Sequence, residues 1–124
     1  MGPRRLTSVA RTVRELTAWT LRRRSLVAVE GTSMEPALEE GDRLLVRKGS
    51  VAPGDIVIFQ DAESRQRLVK RVATATPNGI SVTSDNPFGA RDSRQLGTIP
   101  KAAILGKATL RISPRGLRLL ARRT

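Results

Sequence analysis

The feature that most constrains the fold of this chain is a succession of short apolar segments separated by turn signals. Pro53-Gly54 and Asn78-Gly79 are both typical turn sequences, and each stands between two of these segments. In chain order the segments read SLVAV, DRLLVRK, DIVIFQ, RLVKRVATAT, ISVTS and AAILGKATLRI. This pattern predicts a mainly β domain of about six strands.

The two ends of the chain differ from this β region. Residues 1–24 contain seven arginines, and residues at helical spacing over 5–22 predict a basic amphipathic N-terminal helix. Residues 113–124 are predicted to form a basic tail, with a helical turn after Pro114. A chain of 124 residues has room for one modest core. We therefore expect a single β-domain over 25–112, between two basic ends.

The net charge of +12 is concentrated at these ends. Residues 1–24 and 107–124 each carry +6, whereas the stretch between them has ten basic and ten acidic residues. Such ends can attract nucleic acid or an anionic membrane surface, or can be ordinary solvated arginines. The sequence has only three aromatic residues, Trp19, Phe59 and Phe88, too few to provide stacking surfaces along the basic clusters, so no nucleic-acid partner is expected. Peripheral membrane contact through the N-terminal helix stays open.

Two amino-acid types are missing from the sequence, and their absence limits the chemistry. Without cysteine there are no disulfides, thiolate metal sites or cysteine nucleophile. Without histidine there is no Ser-His-Asp triad, so a serine or threonine nucleophile needs a lysine, a carboxylate or the terminal amine as its base. Glu39, Glu40 and Asp42 lie together but have no histidine or cysteine beside them, so neither a metal nor a cofactor is expected.

The sequence carries no signal for export or membrane insertion. Its longest apolar runs, such as IVIF and AAIL, fall far short of the roughly 20 residues needed to span a bilayer. The N-terminal region spaces its apolar residues among arginines, unlike the continuous apolar stretch of a secretory leader. We therefore expect a cytoplasmic location.

The acidic segment EGTSMEPALEEGD presents a serine in a setting that suits nucleophilic chemistry. Ser33 follows Gly31 and Thr32, where small residues let a substrate backbone come close, and Pro36 constrains the turn after it. Lys70 stands in the mostly apolar strand RLVKRV, which can hold its amine out of water. Desolvation that lowers a lysine pKa from about 10.4 to about 8 raises the neutral fraction at pH 7 about 200-fold, and a neutral amine can take the serine proton. The alternative is a turn serine and a surface lysine.

Four segments occur here in the order found in one peptidase family. SMEPALEEGDRLLV resembles the nucleophile box of the type I signal peptidases, the S26 serine peptidases, and PGDIVIF is similar to their next strand. LVKRV resembles their lysine box, and SDNPFGARDSRQLGTIP is similar to their last box. Together the segments extend from Thr32 to Pro100. The compact length resembles the short soluble branch associated with maturation of nickel-type superoxide dismutase.

This resemblance implies a role for each matching residue. Ser33 would be the nucleophile and Lys70 its general base. The residues implied to form the substrate pocket and oxyanion site are Gly31, Thr32 and Met34. Those implied to brace the site are Pro36, Arg71, Asp85, Asn86, Asp92, Ser93 and Arg94. Gly31 and Ala90 stand where many relatives carry serines that hydrogen-bond the oxyanion and the lysine amine.

The implied function is removal of an N-terminal leader or propeptide from a protein substrate, which would bind extended as an added strand. The acids around Ser33 could attract a basic leader. Three alternatives stay open: signal-peptide processing at the membrane, self-cleavage as in repressor-like Ser/Lys peptidases, and nucleic-acid binding by a non-catalytic basic β-domain. Only 32 residues precede Ser33, which argues against an N-terminal DNA-binding domain.

Overall fold

The prediction of a mainly β fold is confirmed by a computed structural model that describes residues 24–86, 88 and 96–120. The predicted N-terminal helix over 5–22 lies outside the described residues. A short 3-10 turn at Lys101–Ala103 leads into the sixth strand. Seven strands are present in the described part of the chain: β1 (Arg24–Ala28), β2 (Arg43–Arg47), β3 (Ile56–Gln60), β4 (Arg67–Thr76), β5 (Gly79–Thr83), β6 (Ile104–Ser113) and β7 (Gly116–Leu119).

All seven strands belong to one antiparallel sheet with the order β1-β2-β6-β3-β4-β5, and β7 pairs with β6 off this path. The long strand β6 changes partners along one of its edges. Ile104–Lys107 lies against β3, whereas Leu110–Ser113 lies against β7. Its other edge pairs with β2. Strand β6 therefore joins the N-terminal hairpin, β1 and β2, to the remainder of the sheet.

The central strand β3 is buried on both faces. Ile56 and Ile58 belong to the first of two hydrophobic clusters, whereas Val57 and Phe59 belong to the second. All four side chains are at most 4% exposed. Because successive residues of a strand point to opposite faces, the run IVIF contributes to both clusters and explains why this segment does not alternate with polar residues.

A glycine forms the hairpin turn that the Asn78-Gly79 sequence predicts. Strand β4 ends at Thr76 and β5 begins at Gly79, which has φ +144°. A Cβ atom at Gly79 would overlap the carbonyl oxygen of Ile99, whose backbone pairs with Ile80. This position therefore requires glycine both for its backbone conformation and for the close approach of Ile99.

The prediction of a helical turn after Pro114 is wrong. Gly116–Leu119 forms β7, and Ser113 pairs with Gly116 across a tight turn. Proline followed by Arg115 and a glycine at φ +113° favours a turn, which returns the chain along β6. Leu120 then packs against the first hydrophobic cluster.

No helix in the described ranges is long and apolar enough to cross a bilayer.

Candidate active site

Ser33 lies in a compact loop that connects β1 to β2. Two backbone hydrogen bonds close the base of this loop: Val29 N–H donates to Asp42 O at 2.8 Å, and Gly41 N–H donates to Val29 O at 2.9 Å. Within it, Leu38 N–H donates to Met34 O at 2.9 Å. These bonds hold the half-buried Ser33 on an ordered turn.

The side chains of Met34 and Leu38 fix this turn to the protein interior. They are 2% and 0% exposed, and both belong to the first hydrophobic cluster. Met34, implied by the resemblance to flank the substrate pocket, thus has its side chain packed in the core next to Ser33. Pro36 follows a cis peptide bond and lines a second cavity, together with Arg71 and Asp85.

Lys70 lies on β4, directly opposite Val57 of β3. As a residue it is only 5% exposed, so most of its side chain is removed from water. Its Nζ donates a hydrogen bond to Ser84 Oγ at 2.9 Å. Burial disfavours an ammonium relative to a neutral amine, which is the direction required of a lysine that accepts a proton.

Ser33 and Lys70 line the same cavity, which has a volume of about 440 Å³. One wall comes from β1 and the residues that follow it, and the opposite wall comes from β4 and the residue before it. The remaining lining residues are Val27, Ala28, Glu30, Gly31, Gln66, Arg67, Leu68 and Val69. The fold therefore brings a half-buried serine and a buried lysine that are distant in sequence to the same cavity.

Gly31 gives this cavity an open wall beside Ser33. It has φ +78°, and a Cβ atom placed there would have no neighbour within 4 Å. Its N–H donates to Glu40 Oε1 at 3.3 Å, which brings one carboxylate of the acidic segment to the rim. Thr32 is exposed beside it. The space next to Ser33 is thus available to a substrate backbone.

Arg71 and Asp85, which directly follow Lys70 and Ser84 in the sequence, form a buried ion pair. Arg71 binds Asp85 through two hydrogen bonds, Nη2 to Oδ2 at 2.6 Å and Nε to Oδ1 at 3.1 Å. Its Nη1 also donates to Gly54 O at 3.0 Å. The two side chains are 11% and 6% exposed. A desolvated bidentate pair of this kind fixes the relative positions of β4 and the segment after β5.

Asn86 connects that same segment to the Ser33 turn. Its backbone N–H donates to Ser33 O at 2.8 Å, and its side-chain Nδ2 donates to Thr32 O at 3.1 Å. The segment Ser84-Asp85-Asn86 therefore contacts Lys70, its neighbour Arg71 and the Ser33 turn through three consecutive residues.

Sequence reasoning named Asp85 and Asn86 but missed Ser84. No local sequence signal marks Ser84, because its place follows from the register: Thr83 pairs with Arg71, and the next residue in an antiparallel ladder falls opposite Lys70. The implied bracing residues Asp92, Ser93 and Arg94 lie outside the described residues, as does Ala90. Their roles stay predictions.

Comparison with known proteins shows which family the chain is similar to. The sequence model of the Peptidase S24-like family matches residues 10–109. The chain is 29% identical over 119 residues to mitochondrial ATP-independent inner membrane protease subunit 1a of Arabidopsis thaliana, covering 73% of this chain and 71% of that protein. Over 65 residues it is 39% identical to Signal peptidase I of Bacillus licheniformis and 32% identical to Signal peptidase I U of Bacillus subtilis (strain 168). Each of these two matches covers 48% of this chain but 35% of the relative, so the chain spans about a third of those proteins.

The chain belongs to the Peptidase S24-like family. Its similarity to signal peptidases confirms the resemblance to a signal-peptidase-like family that was drawn from the four segments. That resemblance named the S26 peptidases, whereas the matching family is described as S24-like. The likeness to signal peptidases rests on the names of the matching Bacillus proteins. None of the names given above refers to superoxide dismutase.

Proposed function

We propose that the protein is an endopeptidase in which Ser33 is the nucleophile and Lys70 the general base. On this proposal it removes an N-terminal leader or propeptide from a protein substrate. The observation that supports it most is the shared cavity, which both the half-buried Ser33 and the buried Lys70 line. With no histidine in the sequence, the side chains lining this cavity that could act as the base are those of Lys70 and Glu30, and the buried Lys70 is the one proposed.

The reaction follows from the properties of these two groups. The neutral Lys70 amine takes the proton of the Ser33 hydroxyl while Oγ attacks the scissile carbonyl. The resulting ammonium then gives its proton to the leaving amine as the peptide C–N bond breaks. In the second step the neutral amine takes a proton from the water that attacks the acyl carbonyl, and the ammonium formed returns this proton to Ser33 Oγ as the acyl C–O bond breaks. The backbone N–H of Ser33 is the proposed donor to the oxyanion.

The edges of the sheet suggest how the substrate binds. Within the described residues, β1 pairs on one side only, with β2, and its other edge is open. On β4, Arg67–Lys70 pairs with β3, whereas pairing with β5 starts at Arg71. Both open edges border the cavity that contains Ser33 and Lys70. An extended substrate can therefore add as a strand between them, which places its carbonyl beside Ser33.

The acidic residues on the β1 side of the cavity favour a leader that contains basic residues, whereas Arg67 lines the β4 side. Glu30 lines the cavity, and the carboxylate of Glu40 reaches its rim at Gly31. Two carboxylates on this side attract a basic segment of the substrate and orient it along β1. The family resemblance suggests two substrate classes: the precursor of a nickel-type superoxide dismutase, and secretory precursors processed at a membrane.

The proposal is tested by incubating the purified chain with both kinds of precursor and sequencing the new N-termini. We expect one defined cut, lost in Ser33→Ala and in Lys70→Ala, while replacement of the exposed Lys48 by alanine leaves it unchanged. The rate should rise with pH toward about 8–9, because a protonated lysine cannot accept the serine proton. Cleavage that persists in either dyad variant, or a rate that is flat from about pH 6 to 9, rejects the dyad. A cut of the chain itself, upstream of Ser33, would instead support the repressor-like alternative.

A further inference from the structure

We propose that Ser84 is a positioning residue for Lys70: its hydroxyl holds the amine so that the nitrogen lone pair is free to face Ser33. This inference rests on the proposed function and adds a residue to it. The hydrogen bond from Lys70 Nζ to Ser84 Oγ, at 2.9 Å, is the observation that carries it.

The position of Ser84 makes this contact a product of the fold. Ser84 directly follows β5, and Thr83 before it pairs with Arg71 of β4. Asp85 and Asn86 after it are anchored to Arg71 and to the Ser33 turn. The Ser84 backbone is therefore held from both sides, and its hydroxyl is fixed relative to both groups of the dyad.

The chemistry of an amine explains why one acceptor at this place matters. A neutral lysine has two N–H donors and one lone pair, whereas the ammonium has three donors and no lone pair. A lysine side chain that is free to rotate points its lone pair in any of several directions. When one N–H is committed to Ser84, fewer orientations remain, and in some of them the lone pair faces the cavity.

The Ser84 hydroxyl accepts a hydrogen bond from Lys70, so Ser84 must be compared with Ser33 as a candidate nucleophile. Ser33 lines the cavity that the open edges of β1 and β4 border, whereas Ser84 is not among its lining residues. A substrate carbonyl in this cavity thus meets Ser33. This favours a positioning role for Ser84 over attack by its own oxygen.

A second sign of a positioning role for Ser84 would be its effect on the pKa of Lys70. Because a hydroxyl acceptor stabilises an ammonium more than a neutral amine, loss of this hydroxyl should lower the pKa of Lys70. Other charged groups also act on the amine: Glu30 and Arg67 line the same cavity, and the Arg71–Asp85 pair occupies the adjacent positions. Substitution of Ser84 leaves all four in place, so the change in pKa reports on the hydroxyl.

The test compares Ser84→Ala and Ser84→Thr with Ser81→Ala as the matched control. Ser81 is a serine on the adjoining strand β5, and its hydroxyl also bonds across to β4, at Thr74. We expect Ser84→Ala to lower kcat about 10- to 100-fold with KM changed less than about twofold, and to move the acidic limb of the rate profile to lower pH. Ser84→Thr should restore most of kcat, and Ser81→Ala should behave as the wild type. Wild-type kcat and pH profile in Ser84→Ala would overturn the inference.

The kinetic results also separate this inference from the proposed function. If Ser33→Ala retains cleavage, the proposed function fails whatever Ser84 does. If Ser33→Ala is inactive while Ser84→Ala matches the wild type, only the role of Ser84 fails. If Ser33→Ala is active and Ser84→Ala is inactive, Ser84 itself is the nucleophile and the inference is overturned.

A measurement without substrate provides an independent readout. The sequence has four lysines, Lys48, Lys70, Lys101 and Lys107, so protein labelled with 13C at lysine Cε gives few signals to assign. Following the Lys70 signal with pH in the wild type and in Ser84→Ala should show a lower pKa in the variant. An unchanged titration of Lys70 would contradict the hydrogen bond as a positioning contact.

Discussion

Removal of the carboxylate of Asp85 should destabilise the protein far more than removal of the exposed carboxylate of Glu39. In Asp85→Ala the Arg71 guanidinium keeps its bond to Gly54 O but loses both hydrogen bonds to its counter-ion, and its side chain is only 11% exposed. Breaking one side of a buried pair costs about 3–5 kcal/mol, because a desolvated charge is left uncompensated. For an unfolding slope of about 2 kcal/mol per M, the urea midpoint should fall by about 2 M.

The control for this prediction is an exposed ion pair in the same chain. Glu39 and Arg115 are 3.5 Å apart, with side chains 52% and 56% exposed. Glu39→Ala should therefore cost below about 1 kcal/mol. Urea unfolding followed by circular dichroism measures both variants, and Arg71→Leu combined with Asp85→Leu should lose less than Asp85→Ala alone. A loss in Asp85→Ala no larger than in Glu39→Ala would refute the account of this pair as buried and uncompensated when broken.

Three further substitutions test other parts of the structure. Gly79→Ala should lower the free energy of unfolding in urea by about 2–4 kcal/mol, because the added Cβ would overlap Ile99 O. Gly116→Ala has open space around it and should lower the same quantity by about 1 kcal/mol. Equal losses would contradict the close approach of Ile99 to Gly79. Arg111→Met should leave stability unchanged or raise it by about 1–2 kcal/mol, because Arg111 is 8% exposed and its Nε has no hydrogen-bond partner. A clear loss of stability would show that the hydrogen bond from Arg111 Nη1 to Ala37 O, in the Ser33 loop, matters more. Asn86→Ala should lower kcat for leader cleavage about tenfold by releasing the Ser33 turn, and a wild-type rate would count against this clamp.

The fold class could be predicted from the sequence because its turn signals are local. Pro53-Gly54 and Asn78-Gly79 mark turns through their own backbone preferences, and the apolar segments between such turns became strands. The order of strands in the sheet could not be predicted in this way. It depends on β6 pairing with both β2 and β3, a long-range choice that no local signal near Ile104–Ser113 encodes. The turn before β7 did have a local signal, at Pro114 and Gly116, and was misinterpreted as the start of a helix.

The candidate site was predictable to the extent that motif resemblance specifies single residues. Ser33 and Lys70 were named from their segments, and the fold places them on one cavity. The resemblance left the lysine without a hydroxyl partner, since Ala90 stands where relatives carry serine. Ser84 was missed because its contact with Lys70 arises from the register between β4 and β5, and register is set by packing over whole strands.

The most direct test of the account is to locate the acyl group during turnover. The purified chain is mixed with a leader-peptide ester, quenched with acid and digested with trypsin, which releases residues 25–43 as one peptide. Mass spectrometry should find the acyl group on Ser33 in the wild type and no such adduct in Lys70→Ala. An acyl group on another residue, or equal acylation of Ser33 without the amine of Lys70, would contradict the account.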